Sequence, residues 1–215
     1  MNDGRTINIG PVAVAGPDGM FRLNAGCGTH YADGWTNTDC WVSETTRPDV
    51  RVTECEPYPF PDDTFDAVYL GHVLEHIPWP DVVPFIVDMA RVAKPGAPIL
   101  AVGPDVYRTI RRWRDGQEPW HMVVSTMEHA DGNYQPGRED EVWTAAHHHW
   151  NCHADRLATV MRAAGLDGVL DVSDIVPDNF QLHGEASRWW DDPGTGVRWP
   201  VVCKASWQCA AIGWA

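Results

Sequence analysis

One stretch constrains this chain more than any other: Phe21-Arg22-Leu23-Asn24-Ala25-Gly26-Cys27-Gly28, an apolar run leading straight into two glycines one residue apart. Such a segment reads as a buried strand that ends in a tight turn, where bare backbone can approach a ligand. The acidic residue Asp39 follows Trp35-Thr36-Asn37-Thr38, a plausible second strand. A carboxylate at the end of the second strand of an α/β unit can accept hydrogen bonds from both hydroxyls of a ribose. The glycine turn also invites comparison with the dinucleotide fingerprint, whose third glycine would fall at Tyr31. A side chain there crowds the helix–strand packing and the pyrophosphate, so a nucleoside without a pyrophosphate fits better.

The chain's 215 residues suit one domain. Residues 1–19 read as an N-terminal extension and 105–152 as a substrate or lid insertion. No run approaches the ~20 apolar residues of a membrane span, and no basic-then-apolar leader opens the sequence. The expectation is therefore a cytoplasmic protein without membrane contact, monomeric or homodimeric. Six scattered cysteines without a CxxC pair are expected to be reduced thiols. A net charge of −14 opposes a phosphate backbone, which makes a nucleic-acid partner unlikely on electrostatic grounds. The local exception is Arg108-Thr109-Ile110-Arg111-Arg112-Trp113-Arg114. It reads either as a solvated helix face or as an anchor, through Arg108 and Arg112, for an anionic substrate group, because a guanidinium fork matches phosphate or carboxylate.

The remaining order is that of an α/β domain. Residues 6–20 suggest a short strand or hairpin, and 20–24 the first core strand. Asp33-Gly34 breaks the segment between Gly28 and Asp39, so the first crossover helix is abbreviated. Short strands are expected at 49–54, 65–70 and 97–102, with an amphipathic helix over 80–93 stopped by Lys94-Pro95-Gly96. The poorly periodic stretch 105–152 reads as a lid or binding region. A helix over 154–164, a strand over 168–172, a polar loop over 177–198 and a terminal strand within 200–213 complete the chain.

With its elements in this order, the chain resembles the class I S-adenosylmethionine-dependent methyltransferases, of the methyltransferase type 11 kind. The resemblance rests on Leu23-Asn24-Ala25-Gly26-Cys27-Gly28, Asp39, the segment Glu54 to Phe60, Phe65-Asp66-Ala67-Val68, His72-Val73-Leu74-Glu75-His76 and Arg91-Val92-Ala93-Lys94-Pro95-Gly96. It implies a Rossmann-like domain with a mostly parallel seven-stranded sheet, an antiparallel last strand and a shortened first helix. It also implies S-adenosylmethionine as cofactor, with S-adenosylhomocysteine as product. Asn24, Ala25, Gly26, Cys27 and Gly28 would pass beside the methionine portion and Asp39 would take the ribose. Glu54 and Cys55 would flank the adenine, and Gly71 and His72 would line the methyl-donor side. Asn24 stands where the family usually has Asp, which exchanges an anion for an amide able to donate as well.

Methyl transfer from a sulfonium needs alignment and, for a hydroxyl, removal of a proton. The candidate bases are His72, His76 and His148, with His147, His149 and Trp150 as further lining of the acceptor pocket, or as plain packing. No HxxxH or CxxC spacing is present in His147-His148-His149-Trp150-Asn151-Cys152-His153, and no metal is expected there. The favoured function is methylation of a hydroxyl or amine on a small molecule or glycan. A nucleic-acid methyltransferase comes second, a catalytically silent cofactor-binding protein third, and a nicotinamide oxidoreductase is a lesser alternative.

Overall fold

The computed structural model describes residues 12–53, 56–128, 148–177, 189–200 and 208–215. Strand β1 (Arg22–Ala25) lies between β2 (Thr36–Asp39) and β4 (Ala67–Gly71), parallel to both, with Leu23 opposite Thr36 on one side and Val68 on the other. The two-residue β3 (Val50–Arg51) extends the sheet beyond β2. On the other side follow β5 (Pro98–Pro104), the terminal strand β9 (Gln208–Trp214) and the edge strand β6 (Asp167–Asp171). The order is β3-β2-β1-β4-β5-β9-β6, seven strands in which β9 runs antiparallel to both its neighbours. This is the doubly wound sheet with an antiparallel last strand that the motifs imply.

Alternation along the central strands sorts their side chains onto two faces. Val68, Leu70, Ile99, Ala101, Cys209 and Ala211 point to one. Helix α1 (Trp79–Val92) covers it with Val82, Ile86 and Met89, and a later helix, α4 (Ala154–Ala163), with Leu157, Val160 and Met161. Ile86, Met89 and Met161 are wholly buried, each contributing about 2–3 kcal/mol by burial. Ala67, Tyr69, Leu100, Val102, Ala210 and Ile212 point to the other face, against Trp35 of the β1–β2 loop and Trp199. Their rings meet at 5.8 Å. Trp199 belongs to β8 (Arg198–Trp199), which pairs with β7 (Trp190–Asp191) in a small hairpin. Large rings thus cover the sheet where the β1–β2 connection is too short for a full crossover helix, which gives two of the chain's 12 tryptophans a structural role.

Residues 16–20 turn the entering chain, with Gly16 N–H donating to Met20 O at 2.8 Å and Ala15 bridged antiparallel to Phe21. That agrees with a hairpin entry, although residues 1–11 lie outside the described part. Helix α4 ends at Gly165, whose φ of 89° suits glycine. The insertion departs from expectation because it carries two helices, α2 (Val106–Arg114) and α3 (Trp120–Glu128). Helix α2 buries only Val106 and Thr109 and starts on a cap, Asp105 Oδ1 accepting the Arg108 N–H at 2.9 Å. Val106, Ile110 and Trp113 recur at helical spacing, but Ile110 and Trp113 stay exposed, so the cap rather than core burial sets where the helix starts. Cys27, Cys40, Cys152 and Cys209 are free thiols, as expected. Among the described residues no helix is long and apolar enough to cross a membrane.

Candidate active site

The connection after β3 crosses over to β4 on the far side of β1, so the carboxyl ends of β1 and β4 flank the topological switch point, where open α/β sheets bind ligands. Two turns meet there. Gly26 and Gly28, after β1, have φ of 65° and 51°. An added Cβ on Gly26 would lie 2.3 Å from Val73 Cγ2, in the turn after β4, so the two turns pack directly on each other. A Cβ on Gly28 would meet no heavy atom within 4 Å. Bare backbone therefore faces open space at Gly28, as close approach of a ligand requires.

Asp39 is fixed beside that opening. Its Oδ2 accepts the Gly28 N–H at 2.8 Å and its Oδ1 accepts the Trp41 N–H at 2.7 Å. Each carboxylate oxygen keeps a further acceptor position, since the group offers about four lone-pair sites. Two adjacent ribose hydroxyls match that donor-poor, acceptor-rich group. The side chains of Ala25 and Cys27 are buried, the Cys27 N–H donates to Thr38 O at 2.9 Å, and burial, followed by the charges of Asp39 and Asp49, pushes the Cys27 thiol up to about 12. Cys27 is no thiolate. The Asn24 amide is committed to the loop below the site, donating to His30 O at 3.0 Å and Asn37 Oδ1 at 2.9 Å. An aspartate could make neither bond, which explains the departure from the family pattern in physical terms. Asn37, not anticipated from the sequence, also accepts the Ala32 N–H at 2.8 Å and so organises the same loop.

The turn after β4 holds the titratable groups. Gly71 is required by packing, because a Cβ there would fall 2.4 Å from the Tyr69 ring. His72 has φ of 56°, a left-handed conformation that His tolerates better than most residues, and its N–H donates to Val102 O at 2.8 Å. A single 3-10 turn, Leu74–His76, follows. It carries Glu75, a carboxylate only 1% exposed. Glu75 Oε1 lies 3.1 Å from His72 Nδ1, while Glu75 Oε2 and His72 Nε2 are buried atoms without a hydrogen-bond partner. Burial alone would raise the Glu75 pKa; the His72 hydrogen bond and the charges of His72, His76 and His148 outweigh it and hold the carboxyl at about 2.

The insertion's end closes onto this turn. His149 N–H donates to Glu75 O at 2.8 Å, and Trp150 Nε1–H donates to Leu74 O at 2.7 Å. His148 and His76 meet ring to ring at 5.0 Å, and His148 Nδ1 lies 2.9 Å from Thr126 O on α3. Burial lowers the His148 pKa, against the opposing pull of Glu75.

Of the expected site residues, the structure thus gathers His72, His76 and His148 around Glu75, a centre that sequence reasoning passed over although His72 and His76 flank it. Trp150 is buried, its indole N–H is spent on backbone, and it packs on Trp79 at 5.4 Å, so it braces the turn, the packing alternative for this residue. His149 is exposed. Arg108 and Arg112 both have carboxylate partners within the chain. Arg108 Nη1 pairs with Asp174 at 2.8 Å and Arg112 Nη2 with Glu118 at 3.1 Å, so internal carboxylates already take the guanidinium forks. Glu54, Cys55 and His147 lie outside the described residues.

The methyltransferase-domain family model matches residues 23–101, from β1 into β5, a span that includes both turns and Asp39. Among solved structures, an S-adenosylmethionine-dependent methyltransferase from Archaeoglobus fulgidus superposes with a TM-score of 0.50 at 14% identity, over 91% of this chain and 86% of that one. The YcgJ protein of Bacillus subtilis is similar at a TM-score of 0.47 and 13% identity, over 95% and 94% of the two chains. The Burkholderia thailandensis 1,6-didemethyltoxoflavin-N1-methyltransferase, solved with 1,6-didemethyltoxoflavin and S-adenosylhomocysteine, has a TM-score of 0.47 and 12% identity, over 91% and 70%. No curated protein sequence matches the chain. The family match spans the open glycine turn, the fixed Asp39 and the switch point of the sheet, and together these support a class I S-adenosylmethionine-dependent methyltransferase domain with S-adenosylmethionine as its cofactor.

Proposed function

We propose that this methyltransferase modifies a hydroxyl or amine of a small molecule or glycan, with His72 as the general base. The observation that carries the reading is His72 Nε2, a buried, unpartnered ring nitrogen at the carboxyl end of β4. Glu75 accepts from Nδ1–H, which leaves the lone pair on Nε2. A base whose far nitrogen is held by a buried carboxylate is oriented for proton transfer and stabilised once protonated. When bound, the cofactor supplies an electrophilic methyl group on a sulfonium. The chain's part is to hold the ribose on Asp39, pass backbone at Gly26 and Gly28 along the donor, and take the acceptor's proton at His72.

A compact acceptor is favoured over a nucleic acid by the state of the arginine run. Arg108 is paired with Asp174, Arg112 with Glu118 and Arg114 with Asp115, in a chain of net charge −14. Phosphate neutralisation needs free cations along a track. The test is transfer of labelled methyl from S-adenosylmethionine to panels of hydroxylated metabolites, amines, glycans, DNA and transfer RNA at physiological salt. Turnover on a hydroxyl or amine of the first three panels is expected. Turnover confined to nucleic acid would overturn the acceptor class, and tight donor binding with no turnover on any panel would favour a silent binding protein.

The ribose role of Asp39 has its own consequence. Asp39→Asn keeps one acceptor oxygen and replaces the other by a donor facing either a backbone N–H or a ribose hydroxyl. Losing about 1.5–3 kcal/mol of charge-assisted hydrogen bonding corresponds to a roughly 10- to 100-fold weaker S-adenosylmethionine Kd. Calorimetric titration measures it, and an unchanged Kd would remove Asp39 from the donor site.

A further inference from the structure

We propose that Glu75, His76 and His148 form a binding site for one divalent transition-metal ion. A carboxylate oxygen of Glu75 and one ring nitrogen each from His76 and His148 all lie within 4.8 Å of one another. Ligands about 2.1 Å from a common ion sit roughly 3–4 Å apart, so small rotations of the three side chains close the set.

Two features fit these groups for a cation beyond their proximity. His148 Nδ1 faces the carbonyl of Thr126, which can only accept; Nδ1 therefore carries the proton and Nε2 is left with a lone pair for a cation. Glu75 is tied to His72 through Oε1 only, and its buried Oε2 has no hydrogen-bond partner. An unsatisfied carboxylate oxygen in the interior is costly, and a metal ion satisfies it directly. The backbone is braced for this arrangement, since His149 N–H and Trp150 Nε1–H both bind the Leu74–Glu75 carbonyls and so fix His148 against the turn.

Ligand chemistry selects the ion. Two imidazoles and one carboxylate suit zinc, iron(II) or cobalt(II), whereas magnesium and calcium take oxygen sets. Three protein ligands leave at least one coordination position open. His72 becomes an outer partner that orients the Glu75 carboxylate through Oε1. Motif spacing in the histidine run gave no hint of a metal, because the ligands come from two segments, Glu75-His76 after β4 and His148 at the end of the insertion. Ion binding by the resting protein does not depend on the acceptor or on the role of His72 as a base.

The experiment uses tag-free, chelator-treated full-length protein without cofactor, titrated with zinc by calorimetry and with cobalt(II) by visible absorption. One equivalent of each is expected, with the d–d bands of a low-symmetry cobalt site. His76→Ala and His148→Ala are each expected to weaken binding by at least ~100-fold, and His72→Ala, which removes the hydrogen bond that orients Glu75, by ~10-fold. His121→Ala, on exposed α3 surface, should leave binding as it is. Thermal unfolding and S-adenosylmethionine binding report whether each variant is folded, and His148→Gln serves where alanine is not. Absence of a stoichiometric site, binding indifferent to His76 and His148, or displacement of cobalt by millimolar magnesium would each overturn the proposal.

Discussion

His72→Asn is expected to lower kcat on a hydroxyl acceptor by about 10²- to 10⁴-fold, the usual worth of a positioned general base. Asparagine is the informative replacement for two reasons. It tolerates the left-handed backbone that His72 adopts, with φ of 56°, so the turn after β4 keeps its path. Its amide nitrogen also stands close to where Nδ1 stood and can still donate to Glu75, while nothing remains at the position of Nε2. The variant therefore removes the proton acceptor and little else. S-adenosylmethionine affinity should be largely retained, because Asp39 and the Gly26–Gly28 turn are untouched, and single-turnover kinetics should place the loss in the chemical step. An amine acceptor that loses its proton after transfer should be less affected. Equal kcat for His72→Asn and wild type on every acceptor would remove His72 from the chemistry while leaving the family assignment as it stands.

The parts of the fold that the sequence made legible are those whose stability comes from apolar pattern. Ala67-Val68-Tyr69-Leu70 and Ile99-Leu100-Ala101-Val102 are continuous buried runs, and the strand reading of both is correct because a parallel central strand must be apolar on both faces. Helix α1 was legible from the helical spacing of Val83, Ile86, Val87, Ala90 and Val92, although the buried face is Val82, Ile86, Met89 and Val92 and Val87 is exposed. The donor side was legible because glycines mark backbone geometry directly; Gly26 and Gly28 do have positive φ. What escaped depends on partners distant in the chain. Helix α2 is held by the Asp105 cap, and the Arg108 guanidinium is taken by Asp174, from beyond β6. A run of arginines advertises charge but not the carboxylates that neutralise it. Trp150 looked like a pocket residue because indoles line pockets, yet its N–H was claimed by Leu74. Glu75 stood inside the motif His72-Val73-Leu74-Glu75-His76 with no role of its own, and only the fold shows that the histidines converge on it.

That convergence makes Glu75→Gln the most damaging conservative change expected in this chain. Burial opposes the charged form of Glu75, yet the hydrogen bond from His72 and the charges of His72, His76 and His148 bring its carboxyl from 4.5 down to about 2. Between those values the unfolded chain binds more protons at this site than the folded one, so stability rises with pH across the window. The Glu75 contribution is complete above about pH 4.5 and is lost as pH falls toward 2, amounting to about 3 kcal/mol. His148 adds a slope of the same sign. Burial depresses its pKa below 6.5, so the folded state holds it neutral and protonation of the unfolded chain begins to cost stability as pH drops through 6.5. Acid sensitivity should therefore begin near pH 6.5 and deepen below 4.5. Urea unfolding across pH 2.5–8, with chelator present so that ion binding does not contribute, reads both. Glutamine keeps the volume but replaces the buried carboxylate that accepts from His72 Nδ1–H by a neutral amide, and Glu75→Gln is expected to lose about 1.5–3 kcal/mol at pH 7, the worth of a hydrogen bond to a charged group. The gap to wild type should narrow steadily below pH 4.5, where the native carboxylate is itself being neutralised. Parallel stability curves for the two proteins down to pH 2.5 would mean that Glu75 is not the charged centre of this cluster.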